Sequence, residues 1–506
     1  MITRIDQARP AVLYLLLVVL MAAVFVPMSH FRLVDGDEGT YILLSRLVME
    51  GKLPFHDLFW PQMFLTPYIY GAWMKVFGNS WYGARFLSGL AAIALGLVLH
   101  RQVAHLSGRR AWGVLAVVIF TFTSLEFGWL PLIKTFPFGT LFLFSAYAVQ
   151  SLSSSRHKWA VSGFLLGLAI DIRLYAVFTI PAFLVDLYLE EPRLQERLMR
   201  LARFAVGLVV ALLPNQFFYL IDPETFAFNI VGVHAIRSPW GFFGFLEQKA
   251  YLALQLLSIN RTDGVTGFQF ALLFLVSLAS WVSCALTRSR LRLSSMIFIL
   301  LALASLIPTP AYTQYFSMTV PFLIVDALVF VARLSAEATV PALRHLFGVL
   351  VAVYILVAPV DFYRYTITDE GLLLHSDRRE LRNWRISTIR AVGQAIDQEI
   401  RPERPYVISF WPGYFAETRA RVFPKMENHF TIDYSRSMTE REITKFNFMS
   451  FPELLKHLQL HTVDVVVLGN WITERRQVRE RIVENGYVLV RRIENTEIYK
   501  FPGEKR

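Results

Sequence analysis

Residues 32–61 read RLVDGDEGTYILLSRLVMEGKLPFHDLFWP. Three acids, Asp35, Asp37 and Glu38, fall within four residues, just after the apolar run AVLYLLLVVLMAAVFVPM at 11–28. Ionisable side chains at a membrane are costly, so a cluster at the mouth of a span points to function. DEGTYILLSRLVMEG predicts a helix that begins with Asp37 in an N-cap-like place and stops at Gly51. At about 13 residues it is too short to cross a bilayer. Tyr41, Leu44 and Val48 share one face, so the helix is expected to lie in the interface. PYIYGAWMKVFG, 67–78, reads as a second such helix, rich in the aromatic residues that favour that layer. The stretch 31–82 is therefore more than a connector.

The rest of the chain places this stretch in context. Of 506 residues, 55% are hydrophobic and only 18% are charged, with a mean hydropathy of +0.45. Soluble domains carry about 25% charged residues. Apolar runs recur from residue 11 to about 361, and charge concentrates after that. Eleven candidate spans are expected, at about 11–30, 83–103, 111–129, 131–151, 159–171, 174–189, 204–221, 267–287, 294–308, 314–333 and 345–361. The first run follows Arg4 and Arg9, and Pro27-Met28-Ser29-His30 is no small-residue cleavage site, so it reads as a retained span rather than a signal peptide. Cys284 is the only cysteine, which leaves neither a disulfide framework nor a cysteine zinc site within the chain.

The net charge of +11 could suggest nucleic acid, but its placement suggests membrane topology instead. With the N-terminus in the cytoplasm, the inside loops hold Arg101, Arg109 and Arg110; Arg156 and Lys158; Arg193, Arg197, Arg200 and Arg203; Arg288, Arg290 and Arg292; Arg333 and Arg344. Every alternate loop is basic, as the positive-inside rule asks. An odd number of spans then puts the acidic stretch, the loop at about 222–266 and the C-terminal region on the outside. The expected organisation is a polytopic α-helical membrane domain, 1–361, followed by an extracytoplasmic α/β domain, 362–506. In the latter, PYVISF and VDVVVLG read as strands, WITERRQVRERIVENG as a helix ending at Gly486, and YVLVRRIENTEIYKF as a hairpin turning near Glu494-Asn495.

Asp35-Gly36-Asp37 is a DxD, which in soluble sugar transferases holds a metal and a nucleotide diphosphate. Nucleotide sugars are cytoplasmic and this loop is expected outside, which disfavours that reading. Asp37 can equally be a helix cap, worth about 1 kcal/mol, and a capping carboxylate is fixed in the way a general base must be. His56-Asp57 suggests acid–base work, against the simpler reading of a pair that fixes a loop. His234 has no second metal ligand at a fitting spacing, and no metal or other cofactor is expected.

Four stretches, DGDEGTYILLSRLVMEGKLPFHDLFWPQ at 35–62, VFGNSWYGARFLSGLAA at 76–92, DIRLYAVFTIPAFL at 171–184 and TQYFSMTVPFL at 313–323, resemble the C-type (GT-C) superfamily of membrane glycosyltransferases. The nearest likeness is to the protein O-mannosyltransferases and to the aminoarabinose transferase that modifies lipid A. An acid pair, Tyr41, Gly51-x-x-Pro54, Phe77-Gly78 and Arg85 carry the pattern; the later matches are weaker.

The resemblance implies transfer of a monosaccharide from a polyprenyl-phosphate donor to a lipid, glycan or protein acceptor on the outer face of the plasma (inner) membrane, with inversion. It implies Asp37 as general base, with Asp35 as runner-up and Glu38 as a structural partner. The leaving phosphate needs cations. The aminoarabinose transferases have a Lys-Pro in the first loop for this, whereas the corresponding place here reads Phe59-Trp60-Pro61-Gln62. The candidates that remain are Lys134, Arg173, His234, Arg237 and Arg261, each of which could instead be a snorkelling cation. Arg173 could also simply pair with Asp171. Tyr41, His56 and Asp57 complete the candidate substrate-binding set. Three rivals compete: a transporter or flippase of lipid-linked sugars, expected to carry ionisable residues deep in the membrane, of which the sequence suggests few; a polysaccharide polymerase or ligase; and a membrane-anchored binding protein working through its C-terminal region.

Overall fold

The computed structural model describes residues 6–7, 9–237, 242–259, 264–337, 341–368, 378–472 and 474–503. Each of the eleven apolar segments expected from the sequence contains helix. The principal ones here are α1 (Pro10–Phe31), α2 (Gly36–Met49), α3 (Leu65–Phe77), α4 (Trp81–Ser107), α5 (Arg110–Thr121), α6 (Phe136–Leu152), α7 (Lys158–Ile172), α8 (Ile180–Glu190) and α9 (Leu194–Leu212). Gly264–Leu286, Leu293–Ser305, Val320–Glu337 and Pro341–Leu356 follow.

Among the described residues, five helices are long and apolar enough to cross a membrane, or six if Leu194–Leu212 and Pro214–Ile221, bent by 47°, form one span. The other expected segments are broken or short. The run 111–129 divides at Phe122 and Thr123, the run 131–151 becomes helical only at Phe136, and Leu174–Thr179 is 3-10 before α8 begins. α7 and α9 pack closely through small residues: a Cβ at Gly163 or Gly207 would collide with the carbonyl of Phe204 or Ala160, the kind of approach that lets backbones meet in a membrane.

The sequence suggests few deep ionisable groups. The structure, however, buries Glu126, Asp171, Asp186, Asp326 and Asp361 among the apolar helices. Most are tied down: Asp326 accepts from Ser295 at 2.6 Å and Trp281 at 3.0 Å, Asp361 from Thr266 at 2.8 Å, and Asp186 pairs with Arg290.

The C-terminal region forms a five-stranded sheet of β1 (Tyr406–Ser409), β2 (Arg421–Val422), β3 (Val465–Leu468), β4 (Val488–Ile493) and β5 (Thr496–Lys500), in the order β2-β1-β3-β5-β4. β1 lies parallel to β2 and β3, with Val407 opposite Val465, and β5 runs antiparallel, with Val466 opposite Tyr499. The expected hairpin is β4–β5, with Glu494 at φ 50° in its turn, and the helix Arg475–Glu484 stops before Gly486 at φ 78°.

One apolar core joins this sheet to the first loop: Val34, Ile42, Trp60, Tyr70 and Trp81 pack in the same cluster as Trp384, Trp411 and Val466. Trp411 Nε1 donates to Gly36 O at 2.7 Å, and Arg46 Nη1 donates to Phe415 O at 2.9 Å and Thr418 O at 2.6 Å. α2 is therefore held between the membrane helices and the α/β region.

Candidate active site

The site grows from the start of α2. Its N-cap is Asp35, not Asp37 as the sequence suggests. Asp35 Oδ1 accepts the Asp37 N–H at 3.1 Å, and Glu38 Oε1 accepts the Asp35 N–H at 2.9 Å, a reciprocal capping box. The sequence reading missed it because Asp35-x-x-Glu38 and Asp37 overlap, and only the backbone decides which acid caps. Asp37 is thereby left without a capping duty.

Glu38 is fully engaged. Arg85 Nη2 lies 2.5 Å from Oε1 and Arg85 Nε 2.8 Å from Oε2, with the Ile133 N–H on Oε2 at 3.1 Å, and both side chains are wholly buried. This bidentate pair ties α2 to α4 and to the turn before α6. That turn brings in Lys134, whose Nζ lies 2.5 Å from Asp35 Oδ1 and 2.7 Å from Asp37 Oδ2. Lys134 and Asp35 are buried, while Asp37 keeps 36% of its side chain accessible.

Asp37 Oδ1 faces His429 Nε2 at 3.5 Å, and His429 Nδ1 lies 2.8 Å from Thr40 Oγ1. Burial alone would raise the Asp37 carboxyl, but Lys134 and His429 outweigh it and hold the group far below the ordinary carboxylate range. Burial wins at Asp35, whose carboxyl is raised. Of the neighbouring acids, then, one is kept ionised and partly open, and the other is buried as a cap.

Two more cations reach this place from distant segments. Arg173, at the end of α7, donates to Thr135 Oγ1 at 2.8 Å and stacks over Phe136, Tyr175 and Tyr315 at 4.5–4.8 Å. It does not pair with Asp171, which accepts from Asn215 at 2.6 Å. Arg237 sits among Tyr312, Tyr315, Tyr434 and Asp37; burial opposes its charge, but these neighbours outweigh that and raise its pKa. His234 is half-buried, and burial, with Arg237 and Arg173 adding to it, pushes it down to about 4, so it stays neutral. The Tyr41 ring lies 5.9 Å from Lys134 Nζ.

His56 and Asp57 hold each other at 2.9 Å, while Asp57 Oδ2 takes the Leu53 N–H at 2.8 Å. Their hydrogen bonds stay within the first loop, apart from Asn447 Nδ2, which donates to Asp57 O at 3.1 Å, and none joins the Lys134 cluster among the described residues. Arg261 lies outside the described residues. The sequence reading missed His429 and Tyr434 in MENHFTIDY, since a lone histidine in an irregular loop carries no spacing signal. No cluster of three or more His, Cys, Asp or Glu suited to a metal occurs among the described residues. The arrangement offers an ionised carboxylate paired to Lys134, with two further cations and several phenols close by, a setting for an oxyanion beside a base.

Residues 61–215 match the family model described as dolichyl-phosphate-mannose-protein mannosyltransferase. Mouse protein O-mannosyl-transferase TMEM260 is 26% identical over 299 residues, which is 55% of this chain and 41% of that protein, so the chain spans less than half of the relative's length. The crystal structure of ArnT from Cupriavidus metallidurans bound to undecaprenyl phosphate superposes with a TM-score of 0.67 at 14% identity, covering 98% of this chain and 99% of that one. Its apo form gives 0.64 at 14% identity, over 96% and 97%. The resemblance seen in residues 35–90 thus extends to the fold of the whole chain.

Proposed function

We propose that this integral membrane protein of the C-type glycosyltransferase fold moves a monosaccharide from a polyprenyl-phosphate donor to a hydroxyl acceptor on the outer face of the membrane. The observation that carries the reading is Asp37: ionised, partly open, and facing Lys134, with Arg173 and Arg237 nearby. In this mechanism the acceptor O–H gives its proton to Asp37. The acceptor oxygen bonds to the anomeric carbon from the face opposite the phosphate. The anomeric C–O bond to phosphate breaks, and polyprenyl phosphate leaves as an anion held by Lys134, Arg173 and Arg237. Asp35 caps the helix and shares Lys134. Glu38 fixes the frame through Arg85.

The alternating basic loops support an outside site, with the N-terminus in the cytoplasm and residues 362–506 as an extracytoplasmic domain. A lipid-linked donor fits such a site, where nucleotide sugars are not supplied. The acceptor is a lipid, glycan or protein.

The test is purified protein, a polyprenyl-phosphate sugar, an acceptor identified by mass spectrometry of envelope glycolipids and glycoproteins with and without the protein, and single-turnover rates. Asp37→Asn should insert and bind donor but transfer at least about a hundredfold more slowly, since general-base help is worth about 10²–10⁴-fold. Near-normal transfer by Asp37→Asn would overturn the mechanism. The transporter reading draws on the five buried acids among the helices. It would require donor movement across vesicles with no release of polyprenyl phosphate.

A further inference from the structure

We infer that His429, supplied by the C-terminal α/β region, is a positioning residue for the Asp37 carboxylate, so that this region completes the active site. The inference rests on the reading of Asp37 as the base. A base that shares its proton-accepting group with a cation needs a second tether. Of the two Asp37 oxygens, Lys134 holds Oδ2 alone, at 2.7 Å. When Lys134 turns toward the donor phosphate, that oxygen is released and the carboxylate can rotate about its side-chain bonds. Oδ1 then faces His429 Nε2, a buried nitrogen 3.5 Å away that has no hydrogen-bond partner among the described residues and is placed to take one up. Catalytic hydrogen bonds are commonly this long before substrates tighten the site.

The imidazole is set for that task by its other nitrogen. Nδ1 lies 2.8 Å from Thr40 Oγ1, one turn along the same helix as Asp37. A helical threonine hydroxyl usually turns back to the carbonyl four residues earlier, here Gly36 O, but that oxygen already accepts Trp411 Nε1–H at 2.7 Å. With Gly36 O so engaged, the Thr40 hydroxyl is available to donate into Nδ1. A neutral ring so bonded carries its proton on Nε2, the nitrogen that faces Asp37. The ring has 1% of its side chain exposed and is packed edge-on to Trp471 at 4.2 Å and against Phe430 at 4.1 Å, so it cannot swing away. Trp411, Thr40, His429 and Asp37 therefore form one brace, whose outer half belongs to the α/β region.

The experiment uses the full-length protein in detergent or nanodiscs with undecaprenyl-phosphate mannose and undecaprenyl-phosphate aminoarabinose as donor probes, reading released undecaprenyl phosphate with saturating acceptor. His429→Ala should lower kcat by about tenfold to a hundredfold, the scale of a misplaced reacting group, with the donor KM changed by less than about threefold. His429→Gln places an amide N–H near the position of Nε2 and should recover most of kcat. Thr40→Val should fall between the two. The inference is overturned if His429→Ala keeps the wild-type kcat while Asp37→Asn is inactive. It is also overturned if Gln is as impaired as Ala in protein that remains folded by thermal melting, or if the loss lies in KM alone. Should His429→Ala fail to fold, Gln and Thr40→Val carry the same comparison. A wild-type rate in Asp37→Asn would instead sink the base reading, a separate failure.

Discussion

Lys134 Nζ donates to Asp37 Oδ2 across 2.7 Å, with its other contact 2.5 Å away on Asp35. The cation proposed for the leaving phosphate and the proposed base are thus joined in one ion pair. The pairing has a chemical consequence. A carboxylate held by an ammonium is ionised but weakly basic, and it regains basicity when the ammonium turns to another anion. Under the proposed function, donor binding and base activation would be linked: phosphate arriving at Lys134 would loosen its hold on Asp37.

This linkage sets the pH dependence. Burial would raise the Asp37 carboxyl, yet Lys134 and His429 hold it far below the ordinary range. The base form is then present throughout, and wild-type kcat/KM should show no acid limb from Asp37 between about pH 5 and 8. Lys134→Met removes the main lowering influence and leaves burial opposed chiefly by His429, so the Asp37 pKa should rise and its acid limb should move up toward that window. The shape of the profile is the readout, since the variant also loses a donor contact and will be slower overall. A profile as flat as wild type would mean that the pair does not govern the base.

Glu38 makes a different prediction from its neighbours. All four of its named contacts are to Arg85 or to backbone N–H groups, and neither partner of the pair touches solvent. Breaking a buried ion pair by removing one partner costs about 3–5 kcal/mol, because the other charge is left unmatched. Arg85→Met should therefore destabilise the protein by about that amount, and Glu38→Gln by a similar or smaller one. The double variant should recover much of the loss. Thermal unfolding in one detergent would check this. Additive losses in the double variant would show that the two residues act independently.

Much of this frame was legible in the sequence, and the reasons are physical. Apolar runs of near-span length and short Val-rich strands each report on local burial, and local burial is what sequence pattern encodes. Lys134 and Arg173 are legible as candidate cations because they sit at the outer ends of tightly turned spans. The sequence reading puts the N-cap at Asp37 rather than Asp35 because two acids in adjoining frames suit the same helix start. His429 was invisible: it reaches Thr40 across 389 residues, and no periodicity records a contact between an irregular loop and a helix so far away. The buried acids were undercounted for a similar reason. Asp326 and Asp361 look like single interruptions until Ser295 and Thr266 are placed against them.

Arg173 and Arg237 make the donor site testable. Arg173 is fixed by Thr135 and stacked on three rings, and Arg237 sits among Tyr312, Tyr315 and Tyr434. Among the described residues neither has a carboxylate within ion-pair distance, as Lys134 does, so each can meet a phosphate without giving up a salt bridge found there. Loss of a charge-assisted hydrogen bond costs about 1.5–3 kcal/mol. Arg173→Ala and Arg237→Ala should each weaken binding of undecaprenyl phosphate by about tenfold or more, and the double variant by more than either. Unchanged affinity in all three would make both arginines structural cations.

The last prediction concerns the side of the membrane on which the site lies, because the proposed donor chemistry depends on it. Lys52, in the first loop, and Gln477, in the helix Arg475–Glu484, are both exposed, and so is Ser155 between α6 and α7. The basic-loop pattern puts the first two outside and the third inside. Cys284 is the only native cysteine, so replacing it with serine gives a background for single-cysteine labelling. In intact cells, Lys52→Cys and Gln477→Cys should react with a membrane-impermeant maleimide, while Ser155→Cys should react only after the membrane is opened. Lys52 and Gln477 must behave alike, because α2 and the α/β region share one core and Arg46 bonds directly to Phe415 and Thr418. Labelling of Ser155→Cys alone in intact cells would invert the orientation. Asp37 would then face the cytoplasm, where nucleotide sugars are available, and the argument for a lipid-linked donor would lose its ground.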